Sequence, residues 1–348
     1  VWQAPRVNEP RTMTAAVTTC HGGPECIEVR HDWPIPNVGA GQVLVRVAAA
    51  AVNNTDIWSR EGAYGTAADP QAVVGWKGVP LAFPRIQGID IAGEVVRVGG
   101  GVDDGWVGRR VIIDPAFRSE GEYPADIVGS EVDGGFSQFH LCAERQLHDV
   151  SDSPLSAVQL ACLPTAYGTA LGMINRAECV AGERVLVTGS SGGVGMAAVQ
   201  LLVDRGCEVV AHTSASKREV VAGLGVAEVS VRGQDISKVS PVDAVMDVVG
   251  GDEFGAMIDR LRDGGRLVTA GAIAGPVVPF DLRRLYLNHR RIIGSTMHTL
   301  GDFADLAAIA VAGGVEPVVA ETYPLTDIAK AQRRFAAKDF VGKLLLEP

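Results

Sequence analysis

Cysteine, aromatic residues and positive charge are all scarce in this chain of 348 residues. Its six cysteines form no Cys-x-x-Cys pair and no short cluster, which argues against a structural zinc site and against a disulfide framework. This cysteine usage indicates a reduced, cytoplasmic setting. Aromatic residues make up 5% of the chain, charged residues 21% and hydrophobic residues 47%, which together describe an ordinary globular protein.

Basic residues are outnumbered, with 31 Lys and Arg against 41 Asp and Glu, and the formal net charge is −10. Nucleic acid and anionic membrane surfaces attract basic proteins, so neither is expected as a main partner. No unbroken apolar run approaches the length of a membrane span. Residues 1–12 have no apolar core and do not resemble a secretory signal. The length allows two domains with separate cores.

The most informative stretch is residues 184–200, R-V-L-V-T-G-S-S-G-G-V-G-M-A-A-V-Q, which predicts a buried strand, a glycine turn and a helix from about Gly193. Such a turn offers free backbone N–H groups to a pyrophosphate, which explains glycine at Gly192 and Gly195. Ser190 breaks the strict G-x-G-x-x-G spacing and leaves G-x-x-G-x-x-G. The alternative is an ordinary glycine-rich turn, but the strand–helix units that follow favour dinucleotide binding.

The remaining pattern divides the chain into two kinds of structure. Short apolar runs between residues 14 and 150, such as 42–47, 93–99 and 110–113, predict an antiparallel, barrel-like β domain. The long connections 62–83 and 114–135 are typical of functional lids or of disordered segments.

From about residue 153 the period becomes helical, beginning with 160–175, and strands then alternate with helices. This alternation predicts a parallel, doubly wound sheet. The strands expected behind the glycine turn are 208–211, 242–249, 266–271 and 291–296, with a helix at 252–262, then helices at 302–313 and 326–337 and a last strand at 342–346.

The end of the second strand predicts the cofactor. It reads H-T-S-A-S-K-R over residues 212–218, without the Asp or Glu that usually binds the adenosine ribose of NAD. Thr213, Ser214 and Lys217 can instead donate to the 2′-phosphate of NADP. The alternative is a solvated helix start with Ser214 or Ser216 as N-cap. We therefore predict NADPH.

With these residues placed, the chain resembles the medium-chain dehydrogenase/reductases and, within them, the zinc-independent quinone oxidoreductases. The resemblance implies a GroES-like β-barrel catalytic domain over residues 13–152 and 297–348, a Rossmann NADP-binding domain over 153–296, and a homodimer paired through the last sheet strand at 291–297. The motifs that carry it are A-V-N-N-T-D at 51–56, P-R-I-Q-G-I-D-I-A-G-E-V at 84–95, G-G-F-S-Q-F at 134–139, L-P-T-A-Y-G-T-A at 163–170, the turn at Gly189, and Gly342-Lys343.

The same resemblance predicts that no metal is bound. Zinc alcohol dehydrogenases of this superfamily have a Cys where this chain has Asn53, a His-Glu pair where it has Ile89-Asp90, and a third ligand near Ala161. Ile89 and Ala161 cannot bind zinc, which needs three protein donors at a catalytic site. The neighbouring Cys162 is expected to be a small buried hydrophobe. The stretch 114–135 also lacks the cysteines of the family's structural lobe.

Without a Lewis acid, plain alcohol oxidation is not favoured. The predicted reaction is hydride transfer from NADPH to a quinone or an α,β-unsaturated carbonyl, whose oxygen can be stabilised by hydrogen bonds. Two alternatives stay open: a metal-free carbonyl or alcohol dehydrogenase acting on a small metabolite, and a non-catalytic NADPH-binding sensor.

Three residues are the candidates for the acceptor site. Asn53 replaces a lost zinc ligand and would orient the acceptor, although a turn amide bonding local backbone is the alternative. Tyr64 matches a tyrosine of quinone oxidoreductases and would bond the carbonyl or donate a proton, unless it is an exposed loop aromatic. Trp58 would stack on a planar acceptor or simply pack in the core.

The candidate cofactor residues fall at the glycine turn and at the strand ends, where ligands lie in open α/β sheets. Arg232 would stack on the adenine and Met297 would cover the nicotinamide, while His298 would approach the pocket. Asp56 and Asp90 are expected to be structural hydrogen-bond acceptors. The full cofactor set is Thr165, Ser191, Gly192, Gly193, Val194, Thr213, Ser214, Lys217, Arg232, Val249, Gly271, Ala272, Ile273 and Met297, and Trp76 and Lys77 would belong to the pocket lid.

Overall fold

The first half of the chain forms antiparallel sheets, as the apolar runs predict. The computed structural model describes residues 11–66, 81–118 and 126–348, and Trp76 and Lys77 lie outside them. The strands of this part are β1 (Thr12–Thr18), β2 (Ile27–Pro34), β3 (Gln42–Ala51), β4 (Arg85–Ile86), β5 (Asp90–Val98), β6 (Arg110–Ile113), β7 (Ala116–Phe117), β8 (Asp126–Ile127), β9 (Phe139–Ala143) and β10 (Leu147–Asp149), with helix α1 (Asn54–Glu61) directly after β3.

Parallel strands and helices alternate in the second half. Two helices precede the sheet, α2 (Ala157–Leu160) and α3 (Gly168–Arg176). The strands and helices that then alternate are β11 (Arg184–Val187), α4 (Gly193–Asp204), β12 (Glu208–Thr213), α5 (Arg218–Ala222), β13 (Glu228–Val231), β14 (Val242–Asp247), α6 (Phe254–Asp259), β15 (Leu261–Thr269), α7 (Arg283–Tyr286) and β16 (Arg291–Gly294). The sheet runs β13-β12-β11-β14-β15-β16, and all of its pairings are parallel. The order reverses beside β11, which places a ligand crevice at the carboxyl ends of β11 and β14.

The chain ends by returning to the barrel. After α8 (Leu300–Ala312), the last elements are β17 (Val319–Pro324), α9 (Ile328–Ala337) and β18 (Lys343–Glu347). β18 pairs with β3 through Leu345 and Ala51, which gives the sheet order β10-β6-β5-β3-β18-β17. The predicted GroES-like barrel plus doubly wound Rossmann sheet is confirmed.

The core is arranged around these two sheets. Phe303 and Leu306 of α8 share one cluster of buried side chains with Leu171 of α3, so α8 packs on the side of the parallel sheet. Leu344 and Leu346 of β18 belong to the barrel cluster. The domain boundary at residue 297 stays a prediction.

One strand ends earlier than its apolar run suggests. β14 stops at Asp247 because that carboxylate accepts the backbone N–H groups of Val249 at 3.1 Å and Gly250 at 3.2 Å. The Thr188 hydroxyl also donates to Asp247, at 2.7 Å. These bonds replace the ladder and turn residues 248–250 into a loop at the crevice.

A helical stretch from Ala157 to Arg176 carries the chain into the second domain. It joins α2 to α3 through a π-helical turn at Leu163–Tyr167, and π-turns of this kind are frequent at functional sites. Among the described residues, this stretch of 20 is long and apolar enough by length and composition to cross a membrane. Its second part corresponds to the helix predicted at 160–175, and most of the stretch is buried inside the fold.

Candidate functional site

A cavity of about 990 Å³ lies between the barrel and the doubly wound sheet, at the carboxyl ends of the parallel strands. This is where open α/β sheets bind their ligands. Residues predicted from both halves of the sequence meet in its lining: Asn53, Trp58, Tyr64, Thr165, Ser191, Gly192, Gly193, Val194, Thr213, Ser214, Lys217, Arg232, Val249, Gly271, Ile273 and Met297.

Ala272 is the exception, because it does not line the cavity although Gly271 and Ile273 on either side do. A Cβ built on Gly250 would lie 3.3 Å from the Ala272 Cα and 3.4 Å from its Cβ. Ala272 therefore packs against the Gly250 turn, and its contact with the cofactor stays a prediction that the cavity lining does not support.

The glycines of the turn line the cavity, but they are needed for different steric reasons. A Cβ on Gly192 would meet only the Gly189 carbonyl, at 3.4 Å, so the space before the N-terminus of α4 stays free. A Cβ on Gly195 would stand 2.2 Å from the same carbonyl oxygen. Gly195 is therefore required for α4 to pack on the end of β11; it also lines the cavity, and its role toward a phosphate stays a prediction.

Cationic side chains surround the end of β12. Lys217, Arg232 and Lys338 all line the cavity, and the Lys217 ammonium donates to the Lys338 carbonyl at 2.9 Å. Burial and the neighbouring Lys217 lower the pKa of Lys338 to about 8, and burial and Arg232 lower the pKa of Lys217. Burial and mutual repulsion disfavour the charged forms of these side chains, so a bound anion would stabilise them.

Hydroxyl groups in the same region lack partners within the described chain. Thr213 Oγ1 at the end of β12 and Thr165 Oγ1 at the π-turn are buried and make no hydrogen bond to any described residue. Buried hydroxyls without partners are costly, so both sites fit a polar ligand. Ser214 occupies the N-cap position of a short 3-10 turn, as the alternative for this residue has it, but its hydroxyl makes no capping bond and lies 3.3 Å from the Ser216 hydroxyl.

A buried polar network forms the wall on the barrel side. The Asn53 amide nitrogen donates to Asp90 Oδ2 at 2.9 Å and to the Ala51 carbonyl at 3.2 Å, and its oxygen accepts from Lys343 Nζ at 2.5 Å. Lys343 Nζ also donates to Asp90 Oδ2 at 3.0 Å. Asp90 Oδ1 accepts the backbone N–H of Thr165 at 2.7 Å. The Asn53 amide is thus held by its neighbours, and its N–H groups are already used.

Asp56 holds the backbone of the residues that form this wall. It caps α1 by accepting the Asn53 backbone N–H at 2.8 Å, and it accepts those of Gly88 and Ile89 at 3.3 Å. Burial raises the pKa of Asp56 to about 7, and the charge of nearby Asp90 adds to the rise. Asp56 and Asp90 are hydrogen-bond acceptors, as predicted.

Two aromatic rings form the outer side of the cavity. Trp58 and Tyr64 meet edge to face with ring centroids 6.2 Å apart, and both are half-buried. The Tyr64 hydroxyl is hydrogen-bonded to Thr55, and burial raises the pKa of Tyr64. Tyr64 is therefore not an exposed loop residue, and Trp58 is not fully packed in the core.

His298 does not reach the cavity, and that prediction is wrong. Its ring is buried, with Nε2 2.9 Å from Asp114 Oδ1, while Arg118 bonds both Asp114 at 2.9 Å and the His298 carbonyl at 2.6 Å. Met297 has a left-handed φ of 51°, which turns the following residue away. Met297 lines the cavity and His298 faces the barrel.

Asn53, Asp90 and Cys162 lie at or beside the positions where the resemblance places the zinc ligands of other superfamily members, and zinc independence stays a prediction. In the described ranges, no group of three or more His, Cys, Asp or Glu is placed to share a metal. The Cys162 thiol donates to the Val158 carbonyl at 3.3 Å, and burial raises its pKa to about 12. The Lys343 ammonium donates hydrogen bonds to Asn53 Oδ1 and Asp90 Oδ2, so these two side-chain oxygens already bind a cationic group.

Comparison with known proteins now gives the family. Residues 39–152 match the alcohol dehydrogenase GroES-like domain, and residues 193–312 match the zinc-binding dehydrogenase domain. The acryloyl-coenzyme A reductase of Metallosphaera sedula is 30% identical over 328 residues, which cover 89% of this chain and 93% of that protein. The chain belongs to the medium-chain dehydrogenase/reductase superfamily.

Other relatives of this dehydrogenase/reductase act on unsaturated acceptors, by their names. The quinone oxidoreductase of Mus musculus is 28% identical and covers 93% of this chain and 95% of its own. The NADPH-dependent alkenal/one oxidoreductase of Arabidopsis thaliana is 26% identical, and the match covers 97% of this chain and 80% of that protein.

A solved structure is also similar. It is a provisionally named alcohol dehydrogenase from Sinorhizobium meliloti, with a TM-score of 0.90 and 42% identity, and the match covers 98% of each chain.

Sequence reasoning missed two lysines of this dehydrogenase/reductase site. Lys343 was noted only as part of a motif, although β18 pairs with β3 and so brings it beside Asn53. Lys338 follows α9 in a left-handed conformation, with φ of 55°, and donates to the Asn54 side chain at 2.8 Å. Only its position shortly before Gly342-Lys343 could have drawn attention to it.

Proposed function

We propose that this chain is an NADPH-dependent reductase that passes a hydride, without zinc, to a quinone or an α,β-unsaturated carbonyl. The observation that carries the proposal is the Lys343 ammonium bonded to both Asn53 and Asp90, because it supplies positive charge where zinc enzymes of the superfamily hold their metal. The names of the relatives support an unsaturated acceptor.

The cavity residues fit the cofactor from end to end. Backbone N–H groups at the N-terminus of α4 would hold the pyrophosphate. Thr213, Lys217 and Lys338 would bind the 2′-phosphate, and Thr165 would donate its hydroxyl near the nicotinamide ribose. When bound, NADPH supplies the hydride.

The acceptor would lie between the polar wall and the aromatic rings. A ring or enone plane can stack on Trp58, and Tyr64, which lines the same cavity, would donate its hydroxyl to the acceptor oxygen. Hydride transfer leaves negative charge on that oxygen, which the Lys343 cation in the cavity lining stabilises electrostatically. The proton that completes the reduction comes from Tyr64 or from solvent.

The first test is cofactor binding by fluorescence titration. We expect Lys217→Ala and Lys338→Ala each to weaken NADPH by about 10- to 100-fold and NADH by less than about 3-fold, as loss of a charged hydrogen bond to the 2′-phosphate requires. Lys238→Ala is the matched control, because Lys238 is exposed and lies outside the cavity lining. Equal NADH and NADPH affinity in the wild type would contradict the cofactor assignment, and one zinc per chain in the same sample would contradict zinc independence.

A carbonyl or alcohol dehydrogenase is the second candidate, favoured by the 42% identity to the Sinorhizobium meliloti structure. NADPH oxidation with a panel of quinones, enones and saturated ketones separates the two activities. Reduction of the saturated ketones alone would favour the second candidate. No oxidation with any member of the panel would favour an NADPH sensor.

We also propose a homodimer joined at the edge of the doubly wound sheet, in the cytoplasm. β16 ends the described sheet, and large apolar side chains near it are exposed, including Leu282, Tyr286, Leu287 and Ile292. Exposed apolar edge strands favour strand pairing with a second copy. Light scattering is expected to give twice the chain mass for the wild type and the single chain mass for Ile292→Asp.

A further inference from the structure

Three apolar side chains from separate parts of the chain meet in the cavity beside the polar wall. Ile89 directly precedes Asp90, Ile127 belongs to β8, and Met297 follows β16, and all three line the cavity. Together with Ala116 they form one cluster of buried side chains. Met297 therefore reaches from the end of the parallel sheet across to the barrel side of the cleft.

The backbone holds Met297 in a conformation that residues with a side chain rarely adopt. Its φ of 51° is left-handed, and such strain persists only where surrounding bonds fix it, often at ligand sites. Two arginines supply these bonds. Arg176 Nη1 donates to the Met297 carbonyl at 3.2 Å and to the Ser295 hydroxyl at 3.1 Å, and Arg118 Nη2 donates to the His298 carbonyl at 2.6 Å. The peptide groups on both sides of the turn are thus held.

Helix α3 packs closely against the same turn. Gly168, Gly172 and Arg176 are spaced four residues apart and lie on one face of the helix. A Cβ on Gly172 would stand 2.4 Å from the Met297 carbonyl oxygen, and one on Gly168 would stand 2.5 Å from His298 Nδ1. One helix face therefore supplies both the surface that the turn rests on and the arginine that binds its carbonyl.

Arg118 joins this turn to the opposite side of the cleft. It donates to Asp114 Oδ2 at 2.9 Å, and Asp114 Oδ1 lies 2.9 Å from His298 Nε2. Asp114 Oδ1 also accepts the Ala116 backbone N–H at 2.9 Å, and Ala116 pairs with Ile127 between β7 and β8. The charged and imidazole side chains of this network are at most 4% exposed. The network therefore fixes the spacing between the two sides of the apolar cluster.

We propose that Met297 limits the size of the acceptor, and that Arg118 and Arg176 are the positioning residues that keep it in the cleft. This inference rests on the proposed reductase function. With the acceptor oxygen at the polar wall, a substituent on the carbon that receives the hydride would lie against Ile89, Ile127 and Met297. A methionine side chain can change its rotamer, but it cannot leave the cleft while its backbone is fixed. A methyl substituent is therefore accepted and a phenyl ring is disfavoured.

The test compares two enones that differ only in this substituent, which is methyl in ethylideneacetone and phenyl in benzylideneacetone. The measurement is the ratio of their kcat/KM values with NADPH, because this ratio does not depend on the fraction of folded enzyme. We expect Met297→Ala to shift the ratio toward the phenyl compound by about 10-fold or more. Met297→Gly is expected to do the same and folds readily, since glycine adopts left-handed backbone without strain. Met297→Leu, of similar volume, is the control and is expected to stay within about 2-fold of the wild type.

The same ratio tests the positioning role. Arg176→Met keeps the apolar stem and removes the donor, so we expect a shift toward the phenyl compound of about 3-fold or more, which Arg176→Lys partly reverses. Arg205→Met is the matched control. Arg205 also holds the end of α3, but its bonds are to Asn175 Oδ1 at 2.8 Å and to the Cys179 carbonyl at 3.2 Å, rather than to residues 295–298. A loss of stability alone would leave the ratio unchanged in both.

The outcomes separate this proposal from the proposed function. An unchanged ratio in Met297→Ala and Met297→Gly overturns the size limit, while NADPH-dependent reduction of the enones leaves the reductase function standing. A ratio in Arg176→Met no different from that in Arg205→Met overturns the positioning role. Oxidation of NADPH with quinones but with neither enone overturns this proposal alone, and no oxidation with either class overturns the proposed function as well.

Discussion

Replacement of Lys343 by methionine tests the buried network that forms the polar wall. Lys343 is 5% exposed and Asp90 is fully buried, and the two are joined at 3.0 Å. Lys343→Met keeps the side-chain volume but leaves the Asp90 carboxylate without its cation. Removing one partner of a buried ion pair costs about 3–5 kcal/mol, because the remaining charge is uncompensated. We expect a loss of that size in the free energy of unfolding, measured by urea denaturation monitored by circular dichroism.

Two further variants give this measurement its reference. Lys330→Met is the control: its ammonium lies 3.9 Å from Asp327, both side chains are exposed, and the expected change is below about 1 kcal/mol. In Lys343→Met combined with Asp90→Asn, the uncompensated charge is gone, so the double variant is expected to lose at least about 1 kcal/mol less than the sum of the singles. If Lys343→Met costs no more than Lys330→Met, the argument that Lys343 neutralises Asp90 is refuted.

Two other predictions concern the glycine turn and the buried acid. Alanine usually stabilises a helix relative to glycine, but Gly195→Ala is expected to lower the free energy of unfolding by more than about 1 kcal/mol, because the new Cβ would stand 2.2 Å from a carbonyl oxygen. Gly294→Ala, whose Cβ would meet open space, is the control in the same urea denaturation. The pKa of Asp56 is raised from 3.8 to about 7, so the folded state binds a proton more tightly than the unfolded state and stability falls as the pH rises from about 4 to about 7. Unfolding at pH 5 and pH 8 should show a smaller decline for Asp56→Asn than for the wild type, and an equal decline would contradict the raised pKa.

The fold and the residues that line the glycine-turn end of the cavity could be predicted because their signals are local. The glycine turn, the helix after it and Lys217 come from short continuous stretches whose residue types directly limit the backbone or the ligand. The wall around Asn53 could not be predicted in the same way. Asp90 and Lys343, which bond Asn53, are 37 and 290 residues away from it along the chain, and they meet only through the pairing of β18 with β3 and of β3 with β5.

The features that could not be predicted have equally specific causes. His298 was expected in the pocket because it follows the last sheet strand, but the left-handed backbone of Met297 turns it toward Asp114. The close approach of Gly195 to the Gly189 carbonyl could not be predicted, because motif spacing does not distinguish room for a ligand from room for a neighbouring carbonyl. Ala272 packs against the turn at Gly250, and this turn could not be predicted because it depends on the bonds that Asp247 accepts from Val249 and Gly250.

The return of β18 to β3 makes the polar wall depend on the order in which the protein is synthesised. Asn53 and Asp90 are synthesised well before Lys343, which follows them by 290 and 253 residues along the chain. Until then the edge of β3 has no partner on that side and the Asp90 charge has no cation. A nascent chain can therefore complete the sheet from β11 to β16 before the polar wall is complete, so the proposed cofactor site and the proposed acceptor site would form at separate times.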